Sequence, residues 1–232
     1  MTLTATIPTL DNDAQFGAYI ARPQGEATAA IIVIQEIFGV NPGIRQKCDK
    51  LAADGYLALA PDLFWRLSPE VSLDPDVADE FAEALGLMGR FNQDAGIRDI
   101  QAAINYLREA EGTAKVGCVG YCLGGRLAFM AAARTSIDAS VGYYGVGIDG
   151  LLGEKDAIAN PVLLHIPTAD GFVSRETQAA MHAGLDDHPK VTLFDYEGLD
   201  HGFATETGTR RNAEAAALAD SRTAAFFAQA LG

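Results

Sequence analysis

Short apolar runs that alternate with helical segments most strongly constrain the fold of this chain. Each run is continuous and contains β-branched residues, as is typical of strands that a parallel sheet buries on both faces. The alternation predicts an α/β fold, with a mostly parallel sheet and helices on both faces. Predicted strands span 29–34, 56–60, 115–120, 140–144, 162–166 and 191–196, and predicted helices span 45–53, 76–88, 95–111, 124–134, 175–184 and 212–231.

The length and continuity of the chain predict a single domain over residues 1–232. The sequence contains no internal repeat, low-complexity tract or obvious linker. In a parallel sheet, the loops that follow the carboxyl ends of the strands carry the functional residues. Functional residues are therefore expected in these loops.

The negative charge of the chain argues against two classes of binding partner, nucleic acids and membranes. A net charge of -14 repels phosphate backbones and anionic lipid surfaces, so we expect neither nucleic acid nor a membrane as a partner. The beginning of the sequence lacks the pattern of a signal peptide, and no apolar stretch is long enough to span a bilayer. A cytoplasmic protein acting on a small molecule, as a monomer or small homo-oligomer, is expected.

The segment Gly120–Gly125, Gly-Tyr-Cys-Leu-Gly-Gly, follows a predicted strand and opens a predicted helix. This is the Gly-x-nucleophile-x-Gly pattern with cysteine in the place of serine. A nucleophile on a sharp strand-to-helix turn has a strained backbone, so its neighbours must be nearly bare. The N-terminus of the following helix favours negative charge on the Cys122 sulfur. Cys122 is therefore the candidate nucleophile.

The other two cysteines are expected to be structural. A free cysteine is most often a small buried hydrophobe. Cys118 lies inside a predicted strand and Cys48 inside a helical segment. An odd number of three cysteines is not a disulfide framework, and no second pair of ligands follows that would indicate zinc.

A cysteine nucleophile needs a histidine, and the histidine needs a group that orients it. Among four histidines, His201 lies beside a glycine in the loop after the last predicted strand. Asp170 lies in the loop after the preceding strand, which gives the chain order of nucleophile, acid and histidine. Asp200 is the alternative acid, but adjacent side chains usually point apart, so Asp170 is preferred.

The loop after the first predicted strand, Gln35–Val40, is expected to complete the site. One oxyanion donor should be the N–H of Ile37 and the other the N–H of Leu123, the residue after the nucleophile. Glu36 is unusual here, because burying a carboxylate without a partner is costly. A solvated loop acid is the alternative, but a cysteine nucleophile nearby favours a working role.

These motifs together resemble the dienelactone hydrolase (carboxymethylenebutenolidase) family over nearly the whole chain. The matching segments are 35–41, 61–64, 120–125 and 141–147, with the loops of Asp170 and His201. The resemblance implies an α/β-hydrolase fold, a Cys-His-Asp triad, and no metal or organic cofactor. It also implies that Glu36 contacts the thiol in the resting enzyme and takes part in its activation.

The chain departs from the family in its substrate clamp. In the family, two arginines hold a substrate carboxylate. When the segments are matched without gaps, Phe81 and Thr205 stand at the positions of these arginines. Leu85 stands at the position of an aromatic residue of the family. Arg66, Arg90, Arg210 and Arg211 are possible substitutes. The expected pocket comprises Phe38, Phe81, Leu85, Tyr144, Phe172, Phe203 and Thr205.

The sequence thus predicts a hydrolase that cleaves a small ester or lactone through an acyl-cysteine intermediate. A thiol acyltransferase or a redox-sensing cysteine protein could use the same strand-to-helix turn. A binding domain without catalysis would have no need to keep nucleophile, base and acid together.

Overall fold

A computed structural model describes residues 3–232 of the chain. Its core is an eight-stranded sheet in the order β1-β2-β4-β3-β5-β6-β7-β8. The pairs from β4 through β8 are parallel, whereas β1 pairs antiparallel with β2, and β2 with β4. The predicted α/β fold with a mostly parallel sheet is therefore confirmed.

The strands and helices alternate after the first two strands. The strands are β1 (Ala5–Pro8), β2 (Gln15–Ala21), β3 (Ala30–Ile34), β4 (Leu57–Pro61), β5 (Val116–Tyr121), β6 (Ala139–Tyr143), β7 (Val162–Pro167) and β8 (Val191–Tyr196). The helices are α1 (Pro42–Ala53), α2 (Ala78–Arg90), α3 (Gln93–Glu109), α4 (Leu123–Arg134), α5 (Arg175–Leu185) and α6 (Ala213–Leu231). A 3₁₀ segment, Asp149–Ala157, follows β6.

Residues of β3 show how the sheet is covered on both faces. Ile32 and Ile34 belong to a core that includes residues of α3 and α4. Ile31 and Val33 belong to the opposite core, which includes residues of α1 and α6. Because successive side chains of a strand point to opposite faces, a strand between two cores must be apolar throughout. None of the helices within residues 3–232 combines the length and apolar character needed to cross a bilayer.

Helix α1 begins three residues before its predicted start. The side chain of Asn41 accepts a hydrogen bond from the N–H of Ile44 at 3.1 Å, and Pro42 occupies the first helical position. Both are preferred there, because the cap satisfies a free N–H and proline has none to satisfy. The loop that carries Glu36 is therefore anchored on both sides, by β3 and by the start of α1.

A buried histidine lies in the sheet, away from the strand-to-helix turn that carries Cys122. His165 is 1% exposed, and its Nδ1 lies 2.7 Å from the hydroxyl of Tyr196. Its Nε2 lies 2.9 Å from the hydroxyl of Thr223. Burial, with the nearby charges of Arg222 and Lys47, lowers the pKa of His165 to about 3.

We expect His165 to make the fold sensitive to acid. His165 takes up a proton near pH 6.5 in the unfolded chain but only near pH 3 in the folded chain. The contribution of neutral His165 to the free energy of unfolding is therefore complete above pH 6.5 and is lost as the pH falls from 6.5 towards 3. Over this range the free energy of unfolding should fall by about 1.4 kcal/mol per pH unit. When urea unfolding is measured from pH 7.5 to 4.5, the free energy of unfolding should fall less for His165→Gln than for the parent chain. Parallel curves would contradict the assignment.

Candidate active site

The segment after β5 forms the sharp turn that the sequence predicts. Cys122 lies between β5 and α4 with φ +56° and ψ -114°, a conformation that L-residues rarely adopt. A Cβ on Gly120 would lie 1.9 Å from the carbonyl oxygen of Gly124, and a Cβ on Gly124 would lie 2.4 Å from that of Ile34. The glycines are therefore required by close backbone approach.

His201 and Asp170 meet at the carboxyl ends of neighbouring strands. Nδ1 of His201 lies 2.9 Å and 3.1 Å from the two carboxylate oxygens of Asp170. Asp170 also accepts hydrogen bonds from the N–H groups of Phe172, at 2.8 Å, and Val173, at 3.2 Å. Asp200 instead accepts from the N–H groups of Gly171 and His201. The structure therefore places the ring of His201 against Asp170, the preferred acid, whereas Asp200 contacts only the backbone of His201.

The environment of His201 favours a positive charge on its ring. Burial alone would lower the pKa of His201, but the hydrogen bond to Asp170 and the interaction with Cys122 outweigh it and raise the pKa to about 10. Nε2 is buried and makes no hydrogen bond to any of residues 3–232, so it remains available. A protonated His201 beside Cys122 can stabilise a thiolate and later donate a proton.

Glu36 lies at the carboxyl end of β3 and is only 8% exposed. Burial raises the pKa of this carboxyl, whereas His201, Lys47, the hydroxyl of Tyr144 and Arg210 act in the opposite direction. Glu36 and Cys122 line the same pocket. Glu36 is therefore a buried carboxyl group in the pocket of Cys122, with His201, Lys47 and Arg210 nearby.

The two expected oxyanion donors lie at the same edge of the sheet. Ile37 follows Glu36, and Leu123 begins α4. Both residues are buried, and neither N–H donates a hydrogen bond within the part of the chain that the structure describes. They can therefore serve as donors to a negatively charged oxygen.

A predominantly apolar pocket opens to solvent above Cys122. Five of the seven predicted pocket residues line it: Phe38, Phe81, Leu85, Phe172 and Thr205. Leu85 and Phe172 are about half exposed, at 48% and 53%, which places apolar surface at the pocket mouth. The arrangement suits a small substrate with an apolar portion.

Tyr144 and Phe203 were also predicted to line this pocket, and the structure corrects that prediction. Both side chains are buried, and Phe203 packs against Tyr144 and Tyr196 with ring centroids 5.8 Å and 4.7 Å apart. The Tyr144 ring lies 4.9 Å from that of His201. Tyr144 therefore packs against the histidine ring from the core, and Phe203 packs behind Tyr144.

Of the four candidate arginines, Arg210 lines the pocket. Arg66 pairs with Asp99, and Arg90 donates to a carbonyl of its own helix. Arg211 donates to the carbonyl of Thr205. The guanidinium of Arg210 lies 3.9 Å from Asp200 and 5.6 Å from the centre of the Phe172 ring. The pocket thus has one cation at its rim, with a carboxylate beside it.

Sequence reasoning missed the loops that complete the pocket wall. The residues concerned are Pro75, Asp76, Met88, Val146, Thr207, Gly208 and Thr209. The hydroxyl of Thr209 donates to Asp76 at 3.0 Å, which joins two loops that are 133 residues apart in sequence. No local motif marks such a contact, so it could only be found from the tertiary structure.

Cys48 and Cys118 are buried away from the pocket, and burial raises the pKa of both thiols, that of Cys118 to about 12. This agrees with the expectation that they are structural. Within residues 3–232, no group of three or more His, Cys, Asp or Glu residues could hold a metal ion.

Comparison with known proteins decides the family. The model of the dienelactone hydrolase family matches residues 16–231. The chain belongs to the dienelactone hydrolase family. This dienelactone hydrolase family member is accordingly a hydrolase, and the relatives below are named for activity on a lactone.

The relatives cover the protein almost completely. A putative carboxymethylenebutenolidase of Azospirillum brasilense is 45% identical over 98% of both chains. The carboxymethylenebutenolidase of Pseudomonas putida is 38% identical over 92% of this chain and 91% of its own. A crystal structure of a putative dienelactone hydrolase from Klebsiella pneumoniae has a TM-score of 0.82 at 28% identity, covering 97% of this chain and 100% of its own.

Proposed function

We propose that this protein hydrolyses a small ester or lactone with Cys122 as the nucleophile, through an acyl-cysteine intermediate. One observation carries the proposal: Cys122 stands on a strained turn beneath an apolar pocket, within reach of a histidine that Asp170 holds at 2.9 Å. These positions support roles for Cys122 as nucleophile, His201 as base and Asp170 as the orienting acid.

Acylation begins when Glu36 accepts the proton of Cys122 and the sulfur attacks the carbonyl carbon. The N–H groups of Ile37 and Leu123 stabilise the oxyanion, and each such donor is worth roughly 100- to 1000-fold in rate. Protonated His201 gives its proton to the leaving alkoxide. A positioned acid of this kind contributes about 100- to 10,000-fold.

Deacylation uses the same groups in the opposite direction. Neutral His201 takes a proton from water, and the resulting hydroxide attacks the thioester. The tetrahedral intermediate expels the Cys122 thiolate, which recovers its proton from Glu36. The carboxylic acid product leaves, and His201 is again protonated.

The test of this proposal is a substrate screen followed by trapping. Lactones, p-nitrophenyl esters and dienelactones should be compared with water as the only acyl acceptor, and an acid-quenched reaction should carry the acyl group on Cys122. Turnover that needs a thiol or alcohol acceptor would favour an acyltransferase instead. We further propose a single cytoplasmic domain, as a monomer or small homo-oligomer, that uses no cofactor.

Changing Glu36 to glutamine should slow acylation. The neutral amide of the glutamine cannot accept the thiol proton, so we expect the burst rate with a p-nitrophenyl ester to fall by about 100-fold or more, in the range for loss of a general base. Stopped-flow kinetics measures this rate, and thermal unfolding checks that the fold is intact. An unchanged burst rate in a folded Glu36→Gln variant would reject the role.

We expect the enzyme to prefer neutral substrates to carboxylates. Phe81 and Thr205 cannot neutralise charge, and Arg210 shares its charge with Asp200 at 3.9 Å. The specificity constant for a lactone methyl ester should exceed that for the free acid by about tenfold, or about 1.4 kcal/mol. A strong preference for the free acid that disappears in Arg210→Gln would contradict this expectation and leave the triad proposal intact.

A further inference from the structure

A buried lysine that the proposed reaction does not use lies beneath the active site. Lys47 of α1 is only 6% exposed, although lysine is almost never buried without partners. Its ammonium group lies 2.9 Å from Glu206 and 3.3 Å from Asp220. It also lies over the ring of Tyr121, the residue before Cys122, at 5.1 Å.

A small cavity joins this lysine to Glu36. Glu36 and Lys47 both line it, together with Tyr121, Tyr144 and Thr205. The hydroxyls of Tyr144 and Thr205 are buried and make no hydrogen bond to residues 3–232. Buried hydroxyls require partners, so we expect them to be satisfied from within this cavity, which Glu36, Lys47 and Glu206 also line.

The charges around Glu36 come from two sides. His201 and Arg210 lie on the pocket side, and Lys47 lies on the cavity side. The other titratable groups that line the pocket or the cavity are Cys122, Asp76, Tyr121, Tyr144 and Glu206. Burial raises the pKa of Glu36, and the positive charge of Lys47 opposes that rise.

Lys47 also has other titratable groups around its ammonium group, and these interact with its positive charge. The titratable groups that face it are Glu206, Asp220, Tyr121, Tyr143 and His165. Glu206 is also paired with Lys50 and Arg211. Glu206 thus has three basic partners, and Lys47 lies between Glu206 and Asp220 on one side and the cavity that Glu36 lines on the other.

We propose that Lys47 is a positioning residue whose ammonium group, acting across the cavity, keeps Glu36 charged and able to take the thiol proton of Cys122. This inference rests on the proposed function. In the step concerned, the S–H bond breaks, an O–H bond forms on Glu36, and the electron pair stays on sulfur. Without the nearby cation, Glu36 would become neutral at higher pH and could not accept that proton.

The experiment measures the pH dependence of Cys122 alkylation by iodoacetamide in the full chain. The rate should fall at low pH as Glu36 becomes protonated. In Lys47→Met this acid limb should move upward by about one pH unit, which is about tenfold in rate at a fixed pH on the limb. Lys47→Arg should restore the parent profile. An unmoved limb in folded Lys47→Met would overturn the proposal.

Lys50→Met is the matched control. Lys50 lies on the same helix and pairs with the same Glu206, but it is exposed and does not line the cavity. Because Arg211 and Lys47 still pair with Glu206 in this variant, its profile should shift far less than that of Lys47→Met. A shift as large as that of Lys47→Met would show that pairing with Glu206, and not the cavity, is responsible.

The Glu36→Gln background separates an electrostatic role from a structural one. There, Lys47→Met should cause no further shift, because the group on which Lys47 acts is absent. A shift that persists would show that Lys47 acts on other groups and would overturn the proposal. Inactivity of Cys122→Ala tests the proposed function separately, so the two can fail independently.

Glu206→Gln keeps the proposal testable if Lys47→Met does not fold. Removing an anion that pairs with Lys47 should make its charge more available to Glu36. The acid limb should then move to lower pH, opposite to the effect of Lys47→Met, and loss of folding does not produce such a shift. A limb that stays in place or moves upward would contradict the proposal.

Discussion

Replacing Cys122 by alanine should lower kcat for ester hydrolysis by a factor of about 10⁴ to 10⁶, the range for loss of a catalytic nucleophile. The methyl group of alanine cannot form the acyl intermediate, and the oxyanion donors alone leave only residual catalysis. Steady-state kinetics on a substrate that the parent protein cleaves, with iodoacetamide treatment in parallel, gives the measurement.

The other two cysteines provide matched controls for this experiment. Cys48 and Cys118 are fully buried, and the Cys118 thiol lies 3.4 Å from the hydroxyl of Ser140. Changing either to alanine removes packing but no reacting atom, so turnover should stay near that of the parent chain. Near-native hydrolysis by Cys122→Ala would show that the proposed mechanism is wrong.

Changing Asp170 to asparagine should lower kcat/KM by about 10³- to 10⁴-fold, as expected for loss of the acid that orients a catalytic histidine. The variant loses the negative charge that holds Nδ1 of His201 and helps raise its pKa to about 10. His201 would then carry the proton in a smaller fraction of molecules at neutral pH, and its ring would no longer be held in position. Kinetics at pH 7, with thermal unfolding to check the fold, gives the measurement.

Asp200→Asn is the matched control for Asp170→Asn. Asp200 is adjacent to His201, but the side chain is 62% exposed and accepts from backbone N–H groups. We expect its loss to change kcat/KM by less than about tenfold, since it does not hold the ring. A larger loss from Asp200→Asn than from Asp170→Asn would reverse the assignment.

The sequence predicts the central strands well because of where they lie. β3 is buried at every position, so it appears as an unbroken apolar run. β1 and β2 were not predicted, because β1 has four residues and ends at a proline, and β2 alternates exposed and buried positions around Gly17. Their antiparallel pairing at one edge leaves a weaker signal in the sequence.

The candidate site was predictable where topology fixes position. Cys122, Asp170 and His201 each follow a parallel strand, and parallel strands bring such residues to one edge. Tyr144 was misplaced because an aromatic residue beside a glycine looks the same whether its ring turns to the pocket or to the core. The role proposed for Lys47 was invisible, because it depends on a cavity shared with a residue of another element.

Part of the pocket wall lies outside the residues proposed to react: Asp76 belongs to the loop between β4 and α2, and Thr209 lies near the end of the loop between β8 and α6. At the surface, the N–H and the hydroxyl of Thr209 both donate to the carboxylate of Asp76, and none of the triad residues takes part in that contact. Natural selection can therefore alter these loops by small steps while Cys122 and His201 keep their geometry. A lineage with this architecture can acquire new substrates without first losing its chemistry.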